Sequence, residues 1–501
     1  MAANQGEFDR EVDVVVVGVG AAGCAAALSA HDERVEVLVL EKCPPHAAGG
    51  NTRVSGGNWF HNRDADLAKT YLQELCGSSE IPDALAAAWA QETAGNSEWI
   101  TTLGGQVERI GDFAPDFPNL AGSDCYGGYR GVRDGLAGGF HRFLLGAMRV
   151  RGIEVRYGAP GRHLIMAEGA VAGIEAGADE RPYRVRARGG VVLACGGFEN
   201  DRDMVRDHLD LTDCPIWGSP ANTGDGHRMA SDAGADLWHM NARSAYIGIA
   251  IDDSDTGFAA FPSGDGFIWV DALGRRFVNE TPEFGGHGQA WLDGGLVWHP
   301  AAPSFVIFDE RTRLAGPLCP GPETMPVGWQ SMIEGYVWTA DNSREIDQGW
   351  ITRADTPAAL AVRLGIDPMG LTKTIDSWNA SCRVGEDTEM HRRIDTLTPL
   401  DKGPYYGFRS APLLGWTGGG PRRDESGHVI DTAGRPIPGL FAAGAVSPTY
   451  AFAQSGGFFI ADALAFGRIA GRAAARRADT DCDKQYFRRA MSGGHTAKEQ
   501  R

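Results

Sequence analysis

The chain has 501 residues, 43% of them hydrophobic and 22% charged, and its formal net charge is −18. This length exceeds the size at which a single hydrophobic core usually stops growing, so two or more packed units are expected. The composition excludes a mostly disordered or fibrous chain. The acidic balance disfavours nucleic acid as a partner, because phosphates attract Lys and Arg.

The chain carries nine cysteines and no C-x-x-C pair, so we expect neither a disulfide framework nor a metal site. The first apolar segment, Val12–Val17, is too short for a signal peptide or a membrane span. We therefore expect a cytoplasmic protein that does not cross a membrane.

The N-terminal run VDVVVVGVGAAGCAAALSA predicts a buried strand, a glycine turn and an Ala-rich helix, and RVEVLVLEK predicts a second strand. Helices are predicted over Ile81–Leu103 and Gly139–Arg151, followed by the strands IEVRYG and GGVVLACGGF. From about residue 238 to residue 416 the chain is richer in Pro, Trp and Gly, with short strands such as SFVIFD, which is typical of an inserted domain. An α/β pattern then returns with the strand GLFAAGAV and an amphipathic helix over Phe459–Arg477.

A G-x-G-x-x-G motif at residues 18–23 lies between the first predicted strand and its helix. In this context Gly18 permits a tight turn, Gly20 lets the backbone approach a pyrophosphate, and Gly23 lets helix and strand pack closely. Glu41 ends the second strand, where a carboxylate would accept hydrogen bonds from an adenosine ribose. The sequence therefore predicts one dinucleotide-binding site.

Six further segments follow in a fixed order: GGNTRVSGG (49–57), VLACGGF (192–198), TGDGHRMASDAGA (223–235), GRRFVNE (274–280), GLFAAGAV (439–446) and SGGFFIADALAFGRIAG (455–471). With the glycine motif they resemble the FAD-dependent fumarate reductase and succinate dehydrogenase flavoprotein superfamily. The chain looks nearer to its ketosteroid and tricarballylate dehydrogenase-like members than to true fumarate reductases. The resemblance implies an α/β, Rossmann-like FAD-binding domain interrupted by an inserted α+β capping domain. The expected segments are 1–240 and 417–477 for FAD binding, 241–416 for the cap, and 478–501 for a polar tail.

The resemblance also implies which residues contact FAD. They are Gly18, Gly20, Ala22, Gly23, Glu41, Lys42, Gly49, Gly50, Asn51, Thr52, Ser55, Gly56, Gly57, Ala194, Gly196, Gly197, Asp225, Gly444, Ser455, Gly457, Phe459 and Ile460. Relatives that attach FAD covalently carry a His where this chain has Gly50, so noncovalent FAD is expected. Relatives also commonly carry a Glu where this chain has Ala445, and its contact with the flavin ribityl chain is therefore absent.

Comparison with fumarate reductases places four residues of this chain at their polar substrate positions. Tyr246 and Trp416 stand where that family has histidines, and Gln454 stands where it has an arginine that clamps a carboxylate. Arg313 matches the proton-shuttling arginine, with Arg311 as a near alternative. A desolvated dicarboxylate needs guanidinium partners, so we expect neither fumarate nor succinate as the substrate.

The resemblance then implies the reaction. We expect dehydrogenation or reduction of a C–C bond next to a carbonyl, in a cyclic ketone or enone that is steroid-like or aromatic-derived. Tyr246, Arg313 and Tyr450 are the candidate catalytic residues, and the candidate substrate-binding residues are Trp416, Gln454, Phe452 and Tyr126. The electron partner and the direction stay open.

Three alternatives remain. One is oxidation of a carboxylic acid in the manner of tricarballylate dehydrogenase. A second is a flavin monooxygenase, and a third is a flavin-binding protein without turnover.

Overall fold

The computed structural model describes residues 7–77, 79–136, 138–177, 182–212, 214–251, 256–280, 289–292, 295–298, 303–319, 336–451 and 455–493. The chain divides into two compact units. The first unit comprises Met1–Asp201, Pro220–Ala242 and Gly418–Arg501, and the second comprises Arg202–Ser219 and Arg243–Thr417. The domain boundaries drawn from the sequence stay a prediction.

The first unit is built around a mixed sheet with a smaller antiparallel sheet and a short two-stranded pair. Its strands, numbered along the whole chain, are β1 (Arg10–Val17), β2 (Val37–Glu41), β3 (Asn58–Asn62), β4 (Val107–Ile110), β5 (Tyr126–Val132), β6 (Glu154–Tyr157), β7 (Gly161–Ala167), β8 (Ala170–Ala176), β9 (Tyr183–Leu193), β10 (Leu237–Trp238), β19 (Gly420–Pro421), β20 (His428–Ile430) and β21 (Pro436–Ala442). The large sheet has the order β20-β21-β9-β1-β2-β6, and β7 and β8 extend from β9. The strands β21, β9, β1, β2 and β6 run parallel.

The strands at the centre of this sheet are buried on both faces. All of β2 is buried, and β1 is buried from Val12 to Val17. A strand covered on both faces reads as a continuous apolar run, which is why the sequence reveals these two strands so clearly. The carboxyl ends of β1, β2, β9 and β21 lie side by side, because Gly18 donates its N–H to the Leu40 oxygen and Ala194 donates to the Val17 oxygen.

Helices cover the sheet of the first unit. They are α1 (Ala21–Asp32), α2 (Gly50–Val54), α3 (Ala65–Cys76), α4 (Asp83–Ala94), α5 (Asn96–Thr102), α6 (Gly139–Val150), α8 (Asp225–Asp232) and α13 (Phe458–Gly493). Helix α1 and helix α13 approach each other closely, because a methyl group at Gly467 would lie 2.5 Å from the Ala22 carbonyl oxygen. Small residues on both helices therefore fix α13 against the N-terminal turn of α1.

The second unit contains an antiparallel sheet with the order β12-β11-β18-β16-β13, and β17 pairs with β18. Its strands are β11 (Arg243–Ala250), β12 (Gly257–Ala259), β13 (Phe267–Asp271), β14 (Gln289–Leu292), β15 (Gly295–Trp298), β16 (Ser304–Asp309), β17 (Thr352–Ala354) and β18 (Tyr405–Thr417). Its helices are α7 (Arg202–Leu209), α9 (Glu310–Ala315), α10 (Ser343–Asp347), α11 (Pro357–Leu364) and α12 (Pro368–Val384). Thr356 and Asp367 cap α11 and α12, and each helix has Pro in its first turn.

Buried charges lie in the interior of the second unit. Arg276 binds Glu280 (2.6 Å) and Asp387 (2.9 Å), and Arg392 lies 3.4 Å from Glu280. These four side chains are at most 1% exposed. Two arginines and two carboxylates thus balance one another, as buried charges require.

The predicted elements differ from the observed ones at two places. The single helix expected over Ile81–Leu103 is divided into α4 and α5 at Gly95, which has helical φ but lacks the helix propensity of other residues. The closing helix expected to end at Arg477 continues to Gly493. Among the described residues, no helix is long and apolar enough to cross a membrane.

Candidate functional site

The glycine turn after β1 has the geometry of a dinucleotide-binding loop. Gly18 has φ of 99°, and a methyl group there would lie 2.5 Å from the Ala194 carbonyl oxygen. A methyl group at Gly23 would overlap the Gly18 carbonyl oxygen. At Gly20 the nearest atom to such a group would be the Thr52 hydroxyl oxygen, 3.4 Å away. Gly18 and Gly23 are thus required by the fold itself, whereas Gly20 keeps space free beside the turn.

The N-terminus of α1 presents peptide N–H groups at this turn. The helix has no side-chain cap, and its first turn, which contains Ala22, holds no acidic residue. Peptide N–H groups and the helix dipole attract an anion at such a position. The arrangement fits a dinucleotide pyrophosphate.

Glu41 is held at the carboxyl end of β2 by two backbone N–H groups. Val19 donates to one carboxylate oxygen (3.1 Å) and Cys43 donates to the other (2.8 Å). The side chain is buried, at 6% exposure of the residue. A carboxylate oxygen accepts more than one hydrogen bond, so Glu41 can also accept from ribose hydroxyls.

Lys42 and Asp225, both expected at the cofactor, form an ion pair with each other. The Lys42 Nζ lies 2.7 Å from an Asp225 carboxylate oxygen and donates to the Thr223 hydroxyl (2.8 Å). Burial alone would raise the pKa of Asp225, but the Lys42 hydrogen bond and charge lower it below its ordinary value. The pair joins the N-terminus of α8 to the end of β2.

The segment 49–57 is held to the glycine turn by side-chain hydroxyl groups. Thr52 accepts the Ala21 N–H (2.9 Å). Ser55 donates to the Thr52 carbonyl oxygen (3.0 Å) and accepts the Gly57 N–H (3.2 Å). Gly49, Gly50 and Gly57 have φ of 111°, 52° and 65°, values that favour glycine. Gly56 lies inside this loop, within the same short hydrogen-bonded turn.

A buried carboxylate links this segment to the loop after β9. Glu199 accepts hydrogen bonds from the side-chain amides of Asn51 (2.7 Å) and Asn222 (2.6 Å). A methyl group at Gly196 would overlap the Asn222 amide, and the Gly197 carbonyl oxygen accepts the Gly224 N–H (3.1 Å). Sequence reasoning named Asn51, Gly196 and Gly197 but missed Glu199 and Asn222, because the contacts join residues far apart in the chain.

His141 is a further residue that the sequence did not reveal. Its ring Nε2 lies 3.0 Å from the Val19 carbonyl oxygen, and a methyl group at Gly49 would overlap the ring. Burial lowers the pKa of His141 below its ordinary value, so the ring is neutral at pH 7 and Nε2–H donates to Val19. His141 therefore joins the glycine turn to the Gly49 loop. The one sequence signal for His141 was its position in the helix predicted over Gly139–Arg151.

Two glycines in the segment 439–471, Gly444 and Gly457, lie close to atoms of other elements. A methyl group at Gly444 would lie 2.8 Å from the Ala22 side chain, and one at Gly457 would lie 2.5 Å from the Phe60 nitrogen. The Ser455 hydroxyl accepts the Asp116 N–H (3.4 Å). The remaining expected cofactor residues of this region, Ala194, Phe459 and Ile460, lie at the end of β9 and in the first turn of α13.

A fully buried polar cluster lies at the start of this segment. Arg423 donates from one nitrogen to the Thr449 hydroxyl and to the Asp462 carboxylate, both at 2.6 Å. Tyr450 is buried beside them, and its ring centroid is 4.6 Å from that of Phe459. Its hydroxyl forms no hydrogen bond with any residue that the structure describes. Buried hydroxyls are normally hydrogen-bonded, so a ligand or a residue outside the described ranges would complete this group.

Four of the expected catalytic and substrate residues lie in the second unit or outside the described residues. Tyr246 lies on β11 opposite Leu413, and its side chain is outside the described part of the structure. Trp416 lies on β18 opposite Ser244. Phe452 and Gln454 are outside the described residues.

Arg313 forms ion pairs that occupy most of its guanidinium group. It binds Glu310 through two nitrogens, at 2.7 and 2.6 Å, and donates to the Asp341 carbonyl oxygen at 2.8 Å. The hydrogen bonds to Glu310 raise the pKa of Arg313. Among the described residues, no group of three or more His, Cys, Asp or Glu side chains could hold a metal ion.

Comparison with known proteins adds the following. The family described as FAD binding domain matches residues 13–459. NADH:fumarate oxidoreductase of Klebsiella pneumoniae is 27% identical over 95% of this chain, which spans about half (49%) of that protein. 3-Oxosteroid 1-dehydrogenase of Mycobacterium tuberculosis is 28% identical over 92% of this chain and 98% of its own length.

Solved structures share the fold. A 3-ketosteroid delta1-dehydrogenase of Sterolibacterium denitrificans, in complex with 1,4-androstadiene-3,17-dione, has a TM-score of 0.77 at 23% identity, covering 93% of this chain and 100% of that one. A 3-ketosteroid-delta4-(5alpha)-dehydrogenase of Rhodococcus jostii has a TM-score of 0.69 at 24% identity, covering 95% and 99%.

Proposed function

The chain belongs to the FAD binding domain family, and from that membership we propose that it transfers two electrons to or from a C–C bond next to a carbonyl, in a cyclic ketone or enone. The resemblance found in the sequence and the expected α/β fold are confirmed. The chain is an FAD-dependent oxidoreductase similar to 3-oxosteroid 1-dehydrogenases and fumarate reductases. The ring substrate and the residues that act on it are our proposal.

The residues of the first unit fit FAD. The peptide N–H groups of α1 and the space beside Gly20 would hold the pyrophosphate, and Glu41 would hold the ribose. Gly50 stands where covalently linked relatives carry His, so we propose that FAD is bound without a covalent link. When bound, FAD supplies the two-electron acceptor or donor of the reaction.

We propose that the Tyr450 hydroxyl activates the substrate carbonyl. Burial raises the pKa of its hydroxyl well above the usual range, and Asp462 raises it further. The phenol therefore keeps its proton at neutral pH and can donate a hydrogen bond. A donor to a ketone oxygen stabilises the negative charge that develops there when the α-carbon loses a proton, or when the β-carbon of an enone gains a hydride. We assign Tyr450 this donor role.

The remaining expected residues divide into two groups. Tyr246 is our candidate for the proton exchange at carbon, and Trp416, Phe452, Gln454 and Tyr126 are our candidates for substrate contacts. For Arg313 we propose a structural role in place of proton transfer, because Glu310 and Asp341 bind its guanidinium and favour its charged form. An arginine held in this way rarely releases a proton.

Anaerobic titration with saturated cyclic ketones and their enones tests this function. We expect a ketone to bleach the flavin, or an enone to restore the colour of the reduced protein. Tyr450→Phe should slow this step about 100-fold and keep the wild-type FAD content. Tyr183→Phe is the matched control, because Tyr183 stacks under Arg156 and lies outside the proposed machinery.

Two results would contradict the proposal. One is NADPH-dependent oxygen uptake with a hydroxylated product, which would indicate a monooxygenase. The other is a Tyr450→Phe protein that reacts at the wild-type rate, which would remove Tyr450 from the reaction.

A further inference from the structure

Two arginines of the first unit lie directly opposite each other on neighbouring strands. Arg109 on β4 is the register partner of Arg130 on β5. Both guanidinium groups reach the same point, because a methyl group at Gly128 would lie 3.1 Å from the Arg109 Nε and 3.2 Å from an Arg130 nitrogen. Like charges directly opposite each other destabilise a sheet. The pair therefore needs a negative charge to offset it.

The described residues provide little of that charge. Arg109 binds Asp112 (2.6 Å), but the Asp112 side chain is 93% exposed, and such a surface pair contributes little. Arg130 forms no ion pair with any residue in the described ranges, and it donates only to the Tyr129 carbonyl oxygen (3.3 Å). Burial and then the Arg109 charge lower its pKa. The chain has 65 acidic residues, so acids are not scarce.

Two further polar side chains, His61 and Tyr126, lie beside the two arginines. The His61 ring packs on Gly127, and burial followed by the Arg130 charge lowers its pKa. The Tyr126 hydroxyl is buried, and no described residue completes a hydrogen bond with it. Burial raises the pKa of Tyr126 to about 12, so the phenol remains a donor. Two guanidinium groups and a phenol thus converge beside the Asp116 carboxylate, which accepts hydrogen bonds from the Tyr129 hydroxyl (3.5 Å) and the Gly456 N–H (3.0 Å).

We propose that Arg130 and Arg109, together with the Tyr126 hydroxyl, bind a carboxylate carried by the substrate. Two guanidinium groups and a phenol supply the donors that the oxygens of a carboxylate accept. The inference rests on the proposed function and narrows its substrate class from a cyclic ketone to a cyclic keto acid. The carboxylate lies on a substituent of the ring and not on the reacting C–C bond, since Tyr246, Trp416 and Gln454 stand where fumarate reductases carry two histidines and a clamp arginine.

Calorimetric titration of the oxidised holoprotein tests this subsite without turnover. The probes are 4-oxocyclohexanecarboxylate and its uncharged methyl ester, which differ in charge and by one methyl group. We expect the wild type to bind the carboxylate at least about tenfold more tightly than the ester. Arg130→Gln should reduce that preference to less than about twofold, and Arg109→Gln should reduce it in part.

Matched variants separate this effect from a change in folding. Arg206 is an exposed arginine of α7 that pairs with Asp203 and Asp207, and Arg206→Gln should keep the full preference. If Arg130→Gln does not retain FAD, Arg109→Gln gives the readout, since the Arg109 side chain is 55% exposed. Arg130→Lys should restore part of the preference, because it restores the charge without the planar fork.

Equal affinity of the wild type for the two probes would overturn the inference, as would failure to bind either. A preference that survives in the Arg109→Gln, Arg130→Gln double variant would overturn it as well. The two proposals fail separately. Flavin reduction by ketones without a carboxylate preference contradicts only the subsite, and a preference without any flavin reduction contradicts only the proposed reaction.

Discussion

In the first unit, backbone approaches closely at the glycines of the proposed cofactor cradle (residues 18–23, 41 and 49–57), whereas the second unit buries a cluster of four charges within a largely apolar interior. In the first, Gly18 and Gly23 have no room for a side chain. In the second, Arg276 binds Glu280 and Asp387, the latter 111 residues away in the chain. Local glycine geometry leaves a pattern in the sequence, but a pairing of distant charges does not. The two units should therefore respond differently to substitution.

The glycine contacts of the first unit and the buried charges of the second unit should also differ in which property of the protein they affect. Substitutions in the cradle affect the place where we propose that FAD binds, so they should alter cofactor content along with stability. Substitutions in the buried charge cluster should alter stability alone, because breaking one ion pair leaves an uncompensated charge in the core. The following variants test this distinction.

Gly23→Ala should have the largest effect. The added methyl group overlaps the Gly18 carbonyl oxygen, so α1 must move away from β1. We expect a loss of more than about 4 kcal/mol of unfolding free energy, seen as little soluble protein and no bound FAD. Gly146→Ala is the control, because no atom lies within 4 Å of its added methyl. A Gly23→Ala protein with wild-type melting temperature and FAD content would refute the account.

Arg276→Met should destabilise the second unit by about 3–5 kcal/mol, because it leaves two buried carboxylates, Glu280 and Asp387, with Arg392 as the one cation of the cluster. Urea unfolding measures this loss. The neighbouring Arg275→Met is the matched control, since Arg275 is 66% exposed and pairs with Asp271. Equal stability of the two variants would show that the buried cluster does not stabilise the unit.

Glu41→Gln should weaken FAD binding about tenfold and lower the melting temperature of the cofactor-free protein slightly, since the amide NH2 leaves one of two buried N–H groups without an acceptor. The amide keeps one acceptor for Val19 or Cys43 but loses the charge that strengthens the ribose hydrogen bonds. Fluorescence titration with FAD measures the change. Glu36→Gln, at an exposed glutamate that pairs with Arg10, should bind FAD as the wild type does.

The smallest effect that we expect is a pH dependence of the unfolding free energy caused by His141. Its folded-state pKa lies below the ordinary value of 6.5 because of burial, so the unfolded chain takes up the proton first. Stability is therefore full above pH 6.5 and falls as the pH drops below it, by up to about 1 kcal/mol per pH unit. Unfolding in urea at pH 7.5, 6.5 and 5.5 should show a flatter profile for His141→Gln. An identical slope in both proteins would contradict this role.

The sequence predicted the positions of individual residues in the first unit where those positions depend on a short motif. Gly18, Gly23, Glu41 and Thr52 lie where the glycine turn and the second strand imply. The sequence could not reveal His141, whose ring meets Gly49 only after α6 folds onto the turn. It named Lys42 and Asp225 separately and did not predict their ion pair, because the pair spans 183 residues.

The second unit was less predictable. Antiparallel strands such as β16 were recognised by their apolar pattern, but the roles of Arg313 and the Arg276 cluster depend on partners that only the fold brings together. Substrate residues compared with fumarate reductases were placed by alignment alone. Tyr246, Phe452 and Gln454 therefore stay predictions.

The identity and attachment of the flavin test the central claim most directly. The purified protein should have the absorbance spectrum of an oxidised flavin, and acid precipitation should release that flavin into the supernatant, where chromatography identifies it as FAD in equimolar amount. Gly20→Val should abolish this flavin content without unfolding the protein, since the side chain would fill the space that the cradle leaves for the pyrophosphate. Release of FMN, flavin that stays in the pellet, or full FAD content in Gly20→Val would contradict the account.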